Sequence, residues 1–441
     1  MTGHELLHRL AKPNNRDRFV ELYGPEEPDK AVERYRTLLE ATLKAFPETE
    51  GNIHVFTAAG RTELGGNHTD HNHGKVLAAS IQLDALAFVS PRQDTRVIFR
   101  STGYDDVILD ITETEPKPEE RGTTEALVRG IAAELRKRGV PIRGFTANAA
   151  STVLSGSGLS SSAAVEVLFG TIFDRLYGAG DRSAVEIAQI GQKAENEYFG
   201  KPCGLMDQVA CGSGGAVAID FQDPTQPVVT QVPFDPALSG YALCVVDTGG
   251  NHADLTDEYA AVPSEMRAVA AHFGKSVLRE IDKNELIQAI PALRKKTGDR
   301  AILRALHFLA ENERVDAMLK TIQANHQANT MDERQKTMET FLALVCESGH
   351  SSWELLQNVF SVKSVNEQGP SLALAMTQAF IQHIGRGACR IHGGGFAGTI
   401  QVYIPLEAVQ AYKGWMRGAF GEHAVTELRI RDIGAAELHF E

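Results

Sequence analysis

The sequence predicts an α+β fold in two domains. Segments with strand-like composition and segments with helical periodicity are mixed along the chain and do not alternate strictly, which favours α+β over α/β. A chain of 441 residues is too long for a single hydrophobic core. After a proline-rich stretch, the apolar run "YALCVVDT" beginning at Tyr241 starts what we interpret as the second domain. We therefore expect an N-terminal domain over residues 1–237 and a C-terminal domain over residues 238–441.

Helices and strands follow one another through the N-terminal half. Residues 29–46 place their large apolar side chains on one helical face. The next stretch contains short β-prone runs, for example "HVFTA", "ALAFVS", "RVIFRS" and "VILDI". Further helices are expected over residues 124–138, after the turn at Gly158, and over residues 184–199, where Gly200 is a natural C-cap.

The remainder of the chain is helical in the middle and returns to strands at its end. A strand pair is expected around residues 215–221, ahead of the proline-rich stretch. Residues 258–347 have a largely helical pattern with polar faces. The segments "GTIQVYIP" and "VTELRI" then predict strands close to the C-terminus.

Composition and charge disfavour several classes of protein. A hydrophobic content of 43% and a charged content of 23% are typical of soluble globular proteins, and no apolar run approaches the roughly 20 residues of a membrane span. The formal net charge of −13 disfavours nucleic-acid binding, although backbone dipoles and a metal ion can still hold an anionic ligand. The N-terminus lacks the apolar core of a signal peptide, and five scattered cysteines without a CxxC pair favour reduced thiols. We therefore expect a cytoplasmic protein that binds neither nucleic acid nor membrane.

The stretch "GRTELGGNHTDHNHG" concentrates side chains that bind either zinc or the hydroxyls of a sugar. His68, His71 and His73 could ligate zinc, with Asp70 as a fourth ligand. Zinc sites in short loops usually draw their remaining ligands from a second segment, and no clear partner pair occurs in the chain. The stretch is therefore interpreted as a substrate loop, with His73 as an exposed loop histidine.

The segment "SGSGLSSSAAVEV" places glycines and serines directly before a helix. The glycines let the backbone turn tightly and approach a ligand. Free N–H groups at the start of the helix suit a phosphate, and the hydroxyls of Ser160, Ser161 and Ser162 could bind phosphate oxygens or Mg²⁺. The alternative is a serine N-cap after a flexible turn, and the loop alone does not decide between the two. The segment is not a Walker A loop, because no Gly-Lys-Ser/Thr closes it.

The segment "HGGGFAGTI" contains a third glycine-rich pattern. Gly393, Gly395 and Gly398 match G-x-G-x-x-G, which in dinucleotide-binding folds follows a strand and opens a helix. Here the glycines lead into a strand near the C-terminus, so this context rejects a dinucleotide site. The segment is then either another element on the phosphate side of a site or a tight β-turn.

Three motifs in register resemble those of the galactokinase family. "AGRTELGGNHTDHN" resembles the galactokinase signature, and "GSGLSSSAA" is similar to the phosphate loop of the GHMP small-molecule kinases, the superfamily that contains galactokinases. "RIHGGGFAGT" resembles the third, glycine-rich motif of that superfamily. Residues 193–221 are similar to galactokinases over nearly their whole length, and residues 348–358 are a weaker match. Order and spacing agree from about Arg18 to the C-terminus.

The resemblance implies a fold and a set of site residues. The fold is a two-domain GHMP kinase fold with a ribosomal-S5-like N-terminal domain, a ferredoxin-like C-terminal domain and the site in the cleft. Arg61 and Asp207 match the catalytic arginine and aspartate, and Ser162, or a neighbouring serine, matches a Mg²⁺ ligand together with Glu195. The positions expected to contact the sugar are Asn67, His68, Asp70, His71 and Tyr259, and those expected to contact the ATP phosphates are Gly156, Ser157, Gly158, Leu159, Ser160, Ser161 and Ser162.

An aspartate suits the chemistry that the resemblance implies. With an ordinary pKa of about 3.9, a free aspartate is a weak base at neutral pH. Phosphoryl transfer depends mainly on positioning the hydroxyl and balancing charge on the γ-phosphoryl group. Arg61 would hold Asp207 ionised and stabilise the developing charge.

Several positions depart from the galactokinase signature. Asn67 stands where the signature has a glutamate that contacts the C6 hydroxyl of galactose, Glu63 where it has an asparagine, and His71 where it has a tyrosine. A neutral residue beside C6 would relax the rejection of a sugar acid, or Asn67 would bind the same galactose hydroxyl through its amide. Leu154 replaces a proline before the phosphate loop, and Thr124 falls near the position of an aromatic residue that family members place against adenine.

We therefore expect an ATP-dependent sugar-1-kinase that transfers the γ-phosphoryl group to the anomeric hydroxyl of galactose, with Mg²⁺ as cofactor. Alternatives are a kinase for a related sugar, such as galacturonate or N-acetylgalactosamine, and a galactokinase-like sensor that binds sugar without turnover. The presence of Arg61, Glu195 and Asp207 favours an enzyme over a sensor. A monomer or weak homo-oligomer is expected.

Overall fold

Two β-sheets form the framework of the protein. The computed structural model describes residues 1–154, 156, 158–250 and 255–441. The first sheet has the order β12-β1-β2-β5-β3-β4, with β6 paired to β2 and β7 paired to β6, and the second has the order β11-β8-β10-β9. The strands are β1 (His54–Gly65), β2 (Lys75–Pro91), β3 (Arg96–Ser101), β4 (Val107–Asp110), β5 (Phe145–Ser151), β6 (Ala216–Asp220), β7 (Val228–Val232), β8 (Tyr241–Asp247), β9 (Ala388–Ile391), β10 (Thr399–Pro405), β11 (Val425–Leu428) and β12 (Ala436–Leu438).

Helices cover both sheets and connect them. Two of them are extended by π-helical turns, at Glu195–Phe199 and Ser352–Leu356. The α-helices are α1 (Gly3–Leu10), α2 (Arg16–Tyr23), α3 (Pro28–Ala45), α4 (Thr124–Lys137), α5 (Ser161–Tyr177), α6 (Ala184–Ala194), α7 (Met206–Ser213), α8 (Thr256–His272), α9 (Lys283–Lys296), α10 (Asp299–Gln327), α11 (Met331–Ser351), α12 (Gly369–Ile384) and α13 (Val409–Phe420).

The predicted α+β class is confirmed, and so are several predicted elements. Helices α3 and α4 lie where periodicity predicts them. Helix α6 continues through the π-helical turn and ends at Gly200, whose φ of +86° is the left-handed conformation expected of a C-cap glycine. The first motif differs from expectation, because β1 extends through "GRTELG" and only the residues after Gly65 form the loop to β2.

One buried apolar cluster includes residues of both sheets. Val315 and Met318 of α10 and Phe341 of α11 lie in the same buried cluster as Phe56 of β1 and Tyr403 of β10. Helices α10 and α11 are therefore the layer that joins the sheets. This arrangement fixes the loops of the first sheet relative to those of the second.

The C-terminus returns to the first sheet. Strand β12 pairs antiparallel with β1, where Leu438 is opposite Val55. Sheet membership thus differs from the expected division at residue 237, since residues 436–438 lie with the N-terminal sheet. The assignment of residues 1–237 and 238–441 to separate domains stays a prediction.

A fully buried aspartate links the N-terminal helices to this returning segment. Asp84 Oδ1 accepts a hydrogen bond from Arg34 at 2.6 Å, and its Oδ2 accepts from Arg431 at 2.9 Å. Tyr23 and Thr57 also donate to Oδ2, each at 2.6 Å. Burial acts to raise the pKa of Asp84, but the two guanidinium groups and the hydroxyl donors outweigh it and lower the pKa to about 2.

Replacing Asp84 by asparagine should remove a contribution to stability that depends on pH. The folded-state pKa of Asp84, about 2, lies below the unfolded value of about 3.9, so the carboxylate stabilises the fold above about pH 4 by roughly 2–3 kcal/mol. That contribution is lost as the pH falls from about 4 toward 2. Urea unfolding should therefore show a difference between wild type and Asp84→Asn that is largest at neutral pH and shrinks below pH 4. The exposed Asp181→Asn is the control, and a difference that does not change with pH would contradict this account.

Candidate active site

Arg61 and Asp207 form a bidentate ion pair at the centre of the site. Arg61 lies in β1 and Asp207 in the first turn of α7. Arg61 donates from Nε to Oδ1 and from Nη2 to Oδ2, both at 2.8 Å. Arg61 is buried, whereas the Asp207 side chain keeps 35% of its exposure. Burial opposes the charged carboxylate, but Arg61 and the Ser160 hydroxyl lower the pKa of Asp207 below its ordinary value, so it is ionised at neutral pH.

The turn before α5 is hydrogen-bonded to both residues of this ion pair. Ser160 adopts a left-handed conformation with a φ of +60°, and its hydroxyl donates to Asp207 Oδ2. The Ser160 side chain makes no capping hydrogen bond to the backbone of α5. Its hydroxyl therefore does not act as the helix N-cap that the sequence left as the alternative. Arg61 donates through Nη1 to the carbonyl of Gly158, and its backbone N–H donates to the carbonyl of Leu159 at 3.1 Å.

The other residues expected at the ATP phosphates lie at the start of α5 or in the turn. Ser161 and Ser162 are in the first turn of the helix, where Ser162 is exposed. Gly156 is also exposed. Ser157 lies outside the described residues.

The third glycine-rich motif lies against the predicted phosphate loop. A methyl group at Gly158 would be 3.2 Å from His392 Nδ1 and 3.3 Å from Thr399 Oγ1. A methyl group at Gly393 would be 3.7 Å from the Cα of Gly158. Of the two alternatives left open by the sequence, this packing favours an element on the phosphate side of the site.

Two further carboxylates approach the residue that follows Asp207. Gln208 Nε2 donates to Glu166 Oε2 at 2.9 Å and to Glu195 Oε2 at 3.1 Å. Lys201 Nζ donates to Glu195 Oε1 at 3.2 Å. Burial, together with the charge of Glu195, raises the pKa of Glu166 well above its ordinary value.

The predicted substrate loop contacts two other parts of the site. The His68 ring donates from Nε2 to the carbonyl of Gly394 at 2.8 Å, and burial lowers the pKa of His68 to about 3, so the ring is neutral. Asp70 Oδ1 accepts the backbone N–H of His71 at 2.9 Å. A methyl group at Gly204 would lie 1.7 Å from Asp70 Oδ2. The loop therefore contacts both the third glycine-rich motif and the segment that leads to Asp207.

Asn67 is buried, and both ends of its amide bind protein groups. Its Nδ2 donates to the carbonyl of Gly393 at 2.6 Å and reaches the Glu63 carboxylate at 3.2 Å. Its Oδ1 accepts from Asn358 at 2.8 Å, and Arg390 donates to Glu63 at 2.9 Å. This differs from the expected contact with a sugar, because the buried carboxylate of Glu63 draws the amide inward.

Tyr259 packs on the third glycine-rich motif. Its hydroxyl donates to the carbonyl of Gly395 at 2.9 Å, and its ring lies edge-to-face with Phe396 at 5.5 Å between centroids. Burial raises the pKa of Tyr259 to about 12, so the phenol is neutral. The motif thus holds Tyr259 on one side and, through Gly394, His68 on the other.

Comparison with known proteins identifies the family. Residues 44–91 match the galactokinase galactose-binding signature, and residues 126–215 match the N-terminal domain of GHMP kinases. The galactokinase of Streptomyces coelicolor is 32% identical over 401 residues, which cover 90% of this chain and 94% of that protein. The chain belongs to the galactokinase family.

Solved structures agree with the galactokinase fold. Lactococcus lactis galactokinase, crystallised in complex with galactose, aligns with a TM-score of 0.76 at 24% identity, over 92% of this chain and 100% of that chain. The mevalonate kinase of Methanococcus jannaschii aligns with a TM-score of 0.58 at 14% identity, over 86% of this chain and 99% of that chain. The expectation of a GHMP kinase fold is confirmed.

Two departures from the galactokinase signature contact each other. Where the signature has asparagine and then glutamate, this chain has Glu63 and then Asn67, and the two side chains are hydrogen-bonded. The exchange keeps one carboxylate and one amide together. The fully buried Arg390 pairs with the carboxylate in its new position.

The histidines of this galactokinase loop do not converge on a metal. The ring of His68 is bound to a carbonyl, and its centroid lies 6.3 Å from that of His71. Within the described ranges, no group of three or more histidine, cysteine, aspartate or glutamate side chains is placed to hold a metal ion. The same part of the chain contains no helix long and apolar enough to cross a membrane.

Sequence reasoning missed the residues that surround the galactokinase motifs. Glu166 carried a usable signal, because it lies four residues after Ser162 and so on the same face of α5. Most of the others gave no local signal because their partners are distant in sequence, and the exception is Lys201, whose partner Glu195 lies six residues before it. The other residues are Gln208, Lys201, His307, Asn358 and Arg390.

Proposed function

We propose that this protein is an ATP-dependent galactose-1-kinase. The observation that carries the proposal is the ion pair of Arg61 with Asp207, to which the turn of the phosphate loop adds the Ser160 hydroxyl. This places an ionised carboxylate beside a loop suited to phosphate, as transfer to a sugar hydroxyl requires. The kinase family implies ATP as the phosphoryl donor.

The geometry assigns separate tasks to the two residues of the pair. Asp207 accepts a hydrogen bond from the anomeric hydroxyl and orients its oxygen toward the γ-phosphorus. A bond forms from that oxygen to phosphorus as the bond to the β–γ bridging oxygen breaks, and the hydroxyl proton leaves toward Asp207. Arg61 keeps Asp207 ionised and balances charge that develops on the phosphoryl group.

The residues near the phosphate loop suit Mg²⁺. This ion prefers oxygen ligands, and in proteins one or two carboxylates usually bind it while phosphate oxygens and water molecules fill its other coordination positions. Ser162 and Glu195 are the residues proposed to hold it. An unused oxygen ligand lies close by at Glu166, whose buried Oε1 has no hydrogen-bond partner among the described residues. When bound, the ion would neutralise phosphate charge.

Galactose is the sugar that the site supports best. Asp70 and His71 keep 11% and 29% of their side-chain exposure, so both are available to a ligand, and His68 and Tyr259 border the same loop. Galactose is the ligand in the Lactococcus lactis structure and gives its name to the matching signature. The Asn67 amide is hydrogen-bonded to Gly393 and Asn358 inside the protein. Its lack of charge is therefore no argument for a sugar acid as the substrate.

The test is ADP release with Mg-ATP across galactose, galacturonate, glucuronate, N-acetylgalactosamine, arabinose and no sugar. We expect turnover with galactose to exceed that with every other sugar. A preference for galacturonate would replace the substrate and restore Asn67 as a specificity residue. ATP binding without turnover on any of these sugars would overturn the proposal in favour of a sensor.

Replacing Gly204 by alanine should weaken sugar binding more than it slows catalysis. The added methyl group would lie 1.7 Å from Asp70 Oδ2, so Asp70 or the whole substrate loop must move. We expect the KM for galactose to rise about tenfold or more, the equivalent of about 1.4 kcal/mol, with a smaller change in kcat.

The control for this prediction is Gly212→Ala. Gly212 lies in α7, the helix that follows Gly204, and a methyl group there would meet the Ala184 side chain at an ordinary 3.4 Å. Steady-state kinetics of both variants provide the comparison. Equal KM values for Gly204→Ala and Gly212→Ala would contradict the placement of Asp70 beside the sugar.

A further inference from the structure

Glu166 is a buried carboxylate with an unused oxygen. Its side chain is fully buried in α5, and Oε2 accepts a hydrogen bond from Gln208 at 2.9 Å. Oε1 has no partner in the described part of the chain, and the same is true of Gln208 Oε1. Buried polar atoms without a partner are rare in native proteins because their desolvation is not compensated. Two such atoms on adjoining side chains indicate that a ligand is needed there.

The charges around Glu166 show which kind of ligand this is. Three carboxylates, Glu166, Glu195 and Asp207, share the neighbourhood with two cations. Arg61 is bound to Asp207, and Lys201 to Glu195. Glu166 is the carboxyl group of the three without a bound cation among the described residues, so the cluster is one positive charge short once Glu166 is ionised.

The position of Glu166 along α5 connects this deficit to the phosphate loop. Glu166 follows Ser162 by four residues, so the two lie on one face of the helix, where side chains at this spacing are neighbours. Gln208 ties Glu166 to Glu195 through one amide group. The two residues proposed to hold Mg²⁺, Ser162 and Glu195, thus approach Glu166 from its own helix and from the π-helical turn.

We propose that Glu166 is a second carboxylate of the divalent-cation site and that its Oε1 binds the ion that accompanies the nucleotide, directly or through one water ligand. This inference rests on the proposed function. Gln208 then positions both carboxylates. Lys201 supplies charge to Glu195 but leaves Glu166 for the ion.

The test measures metal binding rather than turnover. The affinity of Mn²⁺ is determined from the loss of the free-ion EPR signal, with a non-hydrolysable ATP analogue present and its protein-free binding subtracted. Glu166→Gln keeps the shape of the side chain and should weaken Mn²⁺ binding about tenfold or more, as changes around metal ligands do. Glu197→Gln, two residues after Glu195 but exposed, removes the same charge and should bind Mn²⁺ as wild type does.

Glu195→Gln separates this inference from the proposed function. If Glu195→Gln weakens Mn²⁺ binding and Glu166→Gln does not, the role of Glu166 is overturned and the metal site stands. If neither variant differs from wild type, the proposed metal site itself is wrong. Melting temperatures without metal establish that each variant is folded. If Glu166→Gln does not fold, Glu166→Asp takes its place. The shorter side chain keeps the charge but moves the carboxylate oxygens away from the ion. Wild-type Mn²⁺ affinity in Glu166→Asp would overturn the role of Glu166.

Discussion

Asp207→Asn should lower galactose-dependent ADP release by about a thousandfold. The asparagine keeps the size of the side chain, but it cannot balance the charge of Arg61 or accept the proton of the anomeric hydroxyl. Positioned acid–base groups typically contribute 10²–10⁴-fold, and here one residue both orients the hydroxyl and holds the arginine. The loss should appear in kcat at saturating galactose and Mg-ATP, because the interaction matters most in the transition state.

Ser160→Ala provides a graded comparison for this prediction. It removes one donor to the same carboxylate and leaves the ion pair in place, so about a tenfold loss is expected. Binding of a non-hydrolysable ATP analogue should persist in both variants and shows that the fold is retained. Asp207→Asn with activity within tenfold of wild type would remove Asp207 from the catalytic role.

Much of the local structure could be predicted because its causes are local. The apolar face of α3 and the glycine that ends the helix after α6 are each determined by a few neighbouring residues. The pairing of Val55 with Leu438 could not be predicted in this way, because it joins residues at opposite ends of the chain and involves a strand of three residues. Short strands carry too little alternation to reveal their partners.

The site shows the same limit. Taken alone, Asp207 has the pattern of a turn aspartate, and its role depends on Arg61, which lies in a strand that contains the first motif. The sequence around Asn67 is typical of an exposed loop, yet Asn67 is buried. Two residues from the C-terminal half explain this, because Asn358 binds the Asn67 amide and Arg390 binds its partner Glu63. Sequence comparison identifies both departures from the signature, but only the structure shows that Glu63 and Asn67 are in contact.

Replacing Glu63 and Asn67 together by the signature residues should cost less stability than the two single replacements added together. Asn67→Glu alone would bring two carboxylates to within about 3 Å in a buried place and leave the carbonyl of Gly393 without its donor. Glu63→Asn alone would leave Arg390, which is fully buried, without its carboxylate. Each single change should cost about 3–5 kcal/mol in the free energy of unfolding. The double variant restores one carboxylate and one amide, so its cost should fall below the sum of the two single-variant costs.

A double-mutant cycle measured by urea unfolding checks this coupling. We expect an interaction free energy of about 2–3 kcal/mol in favour of the double variant, at the upper end for residues in direct contact. The sugar panel distinguishes the two roles open to position 67. If Asn67 acts only by holding the loop, the double variant should prefer the same sugar as wild type. Single-variant costs that add to within about 0.5 kcal/mol would show that the two substitutions are independent, and the exchange would then not be compensatory.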